Sequence, residues 1–181
     1  HLTVANLEGT VGEGPTMNPH ASPYNFIFNP EAVKEMKKYV DIVSLANNHL
    51  DDRGKAGQEE TRQWLNKLEI PWFAGYDSAN PRRVLEVNGK QVALIGYHQF
   101  RPNIESLETE IKEAKAENFP PSQGGIKGGL PFIIVYPHWG TEYVNRPGSA
   151  QKELAEIMTT AVADLIIGGH PHVPQALGFE D

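Results

Sequence analysis

Apolar residues along the chain gather in short runs bounded by polar turns. Residues 2–7, 41–46, 132–136 and 165–167 each combine Val, Ile, Leu or Phe over a few positions. Such runs, closed by turn residues, predict strands. Residues 84–95 carry two more runs separated by Asn88-Gly89, the pair favoured in tight hairpin turns, and the second run is apolar enough to be central. Between the strands the spacing changes to the helical period. Asn29-Pro30 supplies a cap and a first-turn proline, and Ala32, Val33, Met36 and Tyr39 then recur on one face of a helix ending near Tyr39. After the turn Asp52-Arg53-Gly54, a second helix is expected over 55–69 with Trp64, Leu65 and Leu68 on its apolar side. Residues 104–117 predict a helix whose alternating charges form a solvated face, and 149–162 a fourth. Residues 9–25 and 120–129, rich in Gly and Pro, read as loops.

This alternation of strands and helices predicts an α/β fold. The hairpin makes the sheet mixed rather than purely parallel. The length of 181 residues suits one domain with a proper core. No internal repeat or linker divides it, so 1–181 is expected to be a single domain. The chain opens inside an apparent strand and closes soon after Val173, so both ends read as cuts through a larger domain. Sixteen basic against 23 acidic side chains leave a net charge of −7. That excludes nucleic acid and anionic membrane as general electrostatic partners. With no cysteine, disulfides and thiolate metal sites are excluded too. No run is long enough to cross a membrane.

Candidate chemistry sits at the strand ends. The run Leu165-Ile166-Ile167 leads through Gly168-Gly169 into His170-Pro171-His172. In an extended segment both imidazoles would point to one side, and neutral imidazole is the commonest metal ligand. Residues 41–46 likewise lead into Asn47-Asn48-His49, and 132–136 into Pro137-His138-Trp139-Gly140. Ligands of α/β sheets bind at the C-terminal ends of strands. His49, His138, His170 and His172 are therefore expected to converge, against the alternative of histidines that merely terminate core strands. Glu8 adds a carboxylate at a further strand end. His98, closing the hairpin strand, reads either as a hydrogen-bonded pocket edge or as a group approaching the site.

Asn6-Leu7-Glu8-Gly9, Ser44-Leu45-Ala46-Asn47-Asn48-His49 with Asp52 and Gly54, His138-Trp139-Gly140-Thr141-Glu142-Tyr143, and Gly169-His170-Pro171-His172-Val173 together resemble the successive motifs of the capsule biosynthesis protein CapA family of bacterial poly-γ-glutamate synthesis. That family is in turn similar to the calcineurin-like metallophosphoesterases. The resemblance implies a metallophosphoesterase-like four-layer αββα sandwich with mixed sheets. It implies Glu8, Asn48, His138, His170 and His172 as metal-facing residues and His49 as the acid near the leaving group. Asp52 would orient His49 or Asn48, or else cap a turn; Glu142 would face substrate, or else be a surface carboxylate. One or two divalent ions are implied, zinc, manganese or iron. The implied function is metal-dependent hydrolysis of a phosphoester or of poly-γ-glutamate at the cell surface, alongside other capsule-synthesis membrane proteins. The alternative is a non-catalytic assembly or export component that retains the metal-site scaffold. The family's opening Gly-Asp strand and its downstream Ser-Leu-Gly-Asn-Phe segment have no counterpart here. The missing aspartate is a metal ligand, so the chain is expected to be a fragment lacking the first strand that holds one ion weakly or none.

Overall fold

A computed structural model describes residues 1–13, 24–73, 82–117 and 129–178. Parts of the expected loops 9–25 and 120–129 lie outside these residues. The chain divides into two compact units, Leu2–Phe73 and Ala74–Asp181, and each is described by itself.

In the first unit, β1 (Val4–Asn6) leads to β2 (Thr10–Val11), β3 (Ile27–Phe28) and α1 (Pro30–Met36). Asn29 caps α1, its side chain accepting from the Glu31 N–H at 2.8 Å, with Pro30 at the first helical position. The helix stops at Met36, and Tyr39 beyond it is exposed rather than packed. Next come β4 (Ile42–Ser44), a short 3-10 turn (Asn48–Asp51), α2 (Gly54–Lys67) and β5 (Trp72–Phe73). Strands β1, β4 and β5 form a parallel sheet with β4 in the middle, which explains why its Ile42, Val43 and Ser44 are all buried. The face that α2 buries differs from the one its apolar spacing predicts. Leu65 is buried, but Trp64 and Leu68 are half-buried, and Gly57, Gln58 and Thr61 complete the buried face. The reason is a hydrogen bond: Thr61 Oγ1 accepts from the Val11 N–H at 2.9 Å and donates to Gly57 O at 2.7 Å. A polar residue is needed there to satisfy a buried backbone group.

The second unit is built on β6 (Arg82–Val87), β7 (Lys90–His98), α3 (Ile104–Ala116), β8 (Phe132–His138), α4 (Ser149–Thr160) and β9 (Leu165–Ile166). The sheet order is β6-β7-β8-β9; β6 and β7 are antiparallel and the other pairs parallel. The sheet is thus mixed, with the apolar β7 inside it. Asn88 and Gly89 make the hairpin turn at φ 50° and 75°, the left-handed pair that a two-residue turn requires. Alternate residues of the central strands, Ala93, Ile95 and Tyr97 with Ile133 and Val135, pack against Leu107, Ile111 and Ala114 of α3 and Leu154 and Met158 of α4. Each large apolar side chain buried there contributes about 1.5–3 kcal/mol. Burial also pushes the Tyr97 phenol up from its ordinary pKa of 10.0. Asp164 accepts from the Ile133 N–H at 2.7 Å and from Lys115 Nζ at 2.7 Å, fastening α3 to the start of β8. Strand β9 corrects an expectation. It is shorter than the apolar run, and Leu165 and Ile167 are exposed, leaving Ile166 to pack on the core. Leu165 and Ile167 alternate with Ile166 and so stand on the side of the chain opposite the face that packs on the core.

Candidate metal centre

Three of the four expected histidines, His138, His170 and His172, gather in the second unit. Parallel pairing of β7, β8 and β9 brings their C-terminal ends to one edge. His138 ends β8 and bridges to Gly169, so the ladder runs on past β9 toward His170. The Trp139 N–H donates to Gly169 O at 3.1 Å and the Gly169 N–H to Pro137 O at 2.8 Å. The His138 and His170 rings lie 4.7 Å apart between centroids, and those of His170 and His172 6.0 Å. His138 is 1% exposed and His170 8%, while His172 is open to solvent. Glu142 completes the group. Its Oε1 lies 3.9 Å from His172 Nε2, and one donor atom each from Glu142, His170 and His172 all fall within 4.8 Å of one another.

The route to this convergence is not the extended segment expected from the one-residue spacing. His170 has φ 93° and His172 φ 57°, so both lie in the left-handed region rather than on a strand. The chain curls around the strand end, and the curl, not strand alternation, brings both rings to Glu142. Gly168 admits the curl: a Cβ on it would lie 2.3 Å from Trp139 Nε1.

The loop after β8 is held from two directions. Gln99, directly after β7, donates from Nε2 to Gly140 O and accepts the Gly140 N–H at Oε1, both at 2.8 Å. The Gln151 side chain donates to Gln175, and Gln175 donates to Val144 O, at 2.9 and 2.8 Å. These amide contacts, with the Tyr143 N–H on Pro171 O at 2.8 Å, fix the distance between Glu142 and the two histidines. The glutamines carry no recognisable motif, so their part emerges only with the fold. His98, read from the sequence as a pocket edge or a group approaching the site, is placed by the sheet. It pairs in register with His138, and partners in a parallel ladder stand on the same sheet face. At 2% exposure it is a buried neighbour of the cluster. Two apolar runs that each close on a histidine are the signal that foreshadows this pairing.

The remaining expected residues belong to the first unit. Parallel β1 and β4 end at Asn6 and Ser44, which sets Glu8 and the Asn47-Asn48-His49 turn at the C-terminal edge of that sheet. Asn47 is fully buried and organises the turn. Its Oδ1 accepts from the His49 and Leu50 N–H groups at 3.1 and 3.0 Å. Its Nδ2 donates to Asn6 Oδ1 at 3.1 Å and Leu7 O at 2.9 Å. Asn6 in turn donates to Glu8 Oε2 at 2.9 Å. Asn48 follows, half-buried, as the first residue of the 3-10 turn. His49 Nδ1 meets Asp52 Oδ2 at 3.0 Å, and Asp52 also accepts the Phe26 N–H at 2.8 Å. The Phe26 ring lies 4.4 Å from that of His49. Asp52 thus contacts His49 and holds it in one orientation. Asn6 and Asn47 both fall within the motifs read from the sequence, but their bonding roles do not show there, where Asn47 is one of two adjacent asparagines.

Fold and strand ends together define a class: an α/β protein with one parallel sheet that ends in asparagine, histidine and carboxylate groups and one mixed sheet that ends in a histidine cluster. Residues 1–180 match the family described as Bacterial capsule synthesis protein PGA_cap, and the chain belongs to that family. It is 30% identical over 165 residues to the capsule biosynthesis protein CapA of Bacillus anthracis, covering 81% of this chain and 38% of that protein. It is 31% identical over 153 residues to the PGA biosynthesis protein CapA of Bacillus subtilis (strain 168), covering 80% and 40%. The chain therefore spans about two fifths of the length of these relatives. A hypothetical protein from Thermus thermophilus shares the fold, with a TM-score of 0.58 at 17% identity over 96% of this chain and 57% of that one.

Proposed function

We propose that the chain carries a divalent-metal centre of a capsule-synthesis hydrolase, acting on a phosphoester or on a γ-glutamyl polymer. The observation that carries this reading is the meeting of Glu142, His170 and His172 donor atoms within 4.8 Å, with the His138 ring beside His170. Imidazole and carboxylate donors without thiolate suit zinc, manganese or iron. When bound, such an ion polarises a phosphoryl or acyl oxygen and lowers the pKa of water. The chain's own residues do the rest. Glu142, His170 and His172 would hold the ion, with His138 beside His170; the open side at solvent-exposed His172 is where a ligand would enter. The Asp52 carboxylate holds His49 at Nδ1, so a proton exchanged by this imidazole passes through Nε2. That arrangement suits a general acid, a role worth about 10²–10⁴-fold in rate.

In this reading the protein works at the cell surface, where the polymer is displayed, with other capsule-synthesis proteins. Among the described residues no helix is long and apolar enough to cross a membrane. Elemental analysis of the purified chain, paired with a screen against phosphodiesters and poly-γ-glutamate, tests the proposal. Because the ligands present imply weak binding, one ion per chain with turnover is expected when excess metal is supplied. Metal without turnover would favour an assembly scaffold, and no metal would remove the centre.

A further inference from the structure

The His170 and His172 rings are bracketed by two further rings. Phe100 meets His170 edge-on at 5.0 Å, His170 and His172 are 6.0 Å apart, and Tyr143 stacks on His172 at 5.9 Å with the planes 28° apart. Both outer rings are open to solvent, Phe100 at 49% and Tyr143 at 74%. Neither belongs to the packed core. Tyr143 is also held at φ 60°, a left-handed backbone costly for a bulky side chain. Its N–H is anchored on Pro171 O, so the ring is fixed in place although its burial gains little. Strain of this kind, kept by surrounding hydrogen bonds at a candidate site, points to a ligand contact.

We propose that Phe100 and Tyr143 form an aromatic bracket that selects ligands joining an anionic head to a flat group. The anion would meet the His170–His172 centre, and the flat group would stack on one of the flanking rings. This rests on the metal-centre reading. Aromatic contacts of this type are worth about three- to tenfold in affinity.

The test compares phenylphosphonate with methylphosphonate, which share a head group and differ by the ring, by calorimetry on the metal-loaded chain. The expected result is about three- to tenfold tighter binding of phenylphosphonate. At least one of Phe100→Ala and Tyr143→Asn should reduce that preference, with methylphosphonate affinity and metal content unchanged in both. Asparagine tolerates the left-handed backbone, and Tyr143→Phe should retain the preference. Equal affinities in the unsubstituted chain, or a preference that survives both substitutions, would overturn the bracket alone. Loss of metal in the two variants would also overturn it, because the rings would then be positioning the histidines. An unsubstituted chain that binds no metal would overturn the centre, and the bracket with it.

Discussion

Replacing His170 with glycine probes the centre with little backbone complication. His170 sits at φ 93°, where an alanine would add strain that glycine avoids. The substitution removes a buried imidazole, and even groups that only support a ligand are worth about 10–100-fold in metal affinity. A ligand itself should cost at least about 100-fold. Thermal unfolding with and without Zn2+ or Mn2+ reads this directly. At a metal concentration about 100 times the dissociation constant, binding stabilises the unsubstituted chain by about 2.7 kcal/mol. For a chain of this size that raises the melting temperature by roughly 5–11 °C, at about 2–4 °C per kcal/mol. In His170→Gly the same metal concentration would only match the weakened constant, leaving about 0.4 kcal/mol and roughly 1–2 °C. Each variant is compared with its own metal-free form, so the packing lost with the ring cancels. A metal-induced shift of equal size in both chains would refute the placement of His170 as a ligand.

Other substitutions separate the remaining parts. His49→Ala should leave metal stoichiometry unchanged while lowering any turnover about 10²–10⁴-fold, read by elemental analysis beside single-turnover kinetics. Asn47→Ala removes four hydrogen bonds at a buried turn and should lower stability by about 2–4 kcal/mol from lost capping and unpaired buried groups, measured by urea unfolding. Tyr97 gives a pH signature. Its folded pKa is raised by burial above the ordinary 10.0, so the folded state keeps a proton that the unfolded chain releases. Its contribution is present below about pH 10 and fades as pH rises through the folded value; Tyr97→Phe should flatten that alkaline loss in stability-against-pH profiles.

Much of this architecture was legible in local patterns. The Asn29-Pro30 start of α1, the Asn88-Gly89 turn and the apolar β7 and β8 each follow from short-range rules, and the structure keeps them. The family motifs marked strand ends, since a histidine after an apolar run is visible without knowing the fold. Long-range pairing was less legible. The face that α2 buries is set by Val11, 50 residues before Thr61, and no helical periodicity reports that contact. The exposure of Leu165 and Ile167 depends on which face of the chain is covered, which an unbroken apolar run does not encode. The His170–His172 geometry depends on two left-handed residues, which period-two reasoning cannot produce. His98 joins its neighbours only through the β7–β8 register, and the organising part of Asn47 lies in its bonds to Asn6 and Leu7, the latter 40 residues earlier.

The central claim is that the histidine–carboxylate cluster holds a divalent ion. X-ray absorption spectroscopy of the chain loaded with one equivalent of Zn2+ tests it most directly. The account predicts at least two imidazole nitrogens at about 2.0–2.1 Å, with the imidazole scattering reduced in His170→Gly. A spectrum of oxygen ligands alone, unchanged by that substitution, would contradict it.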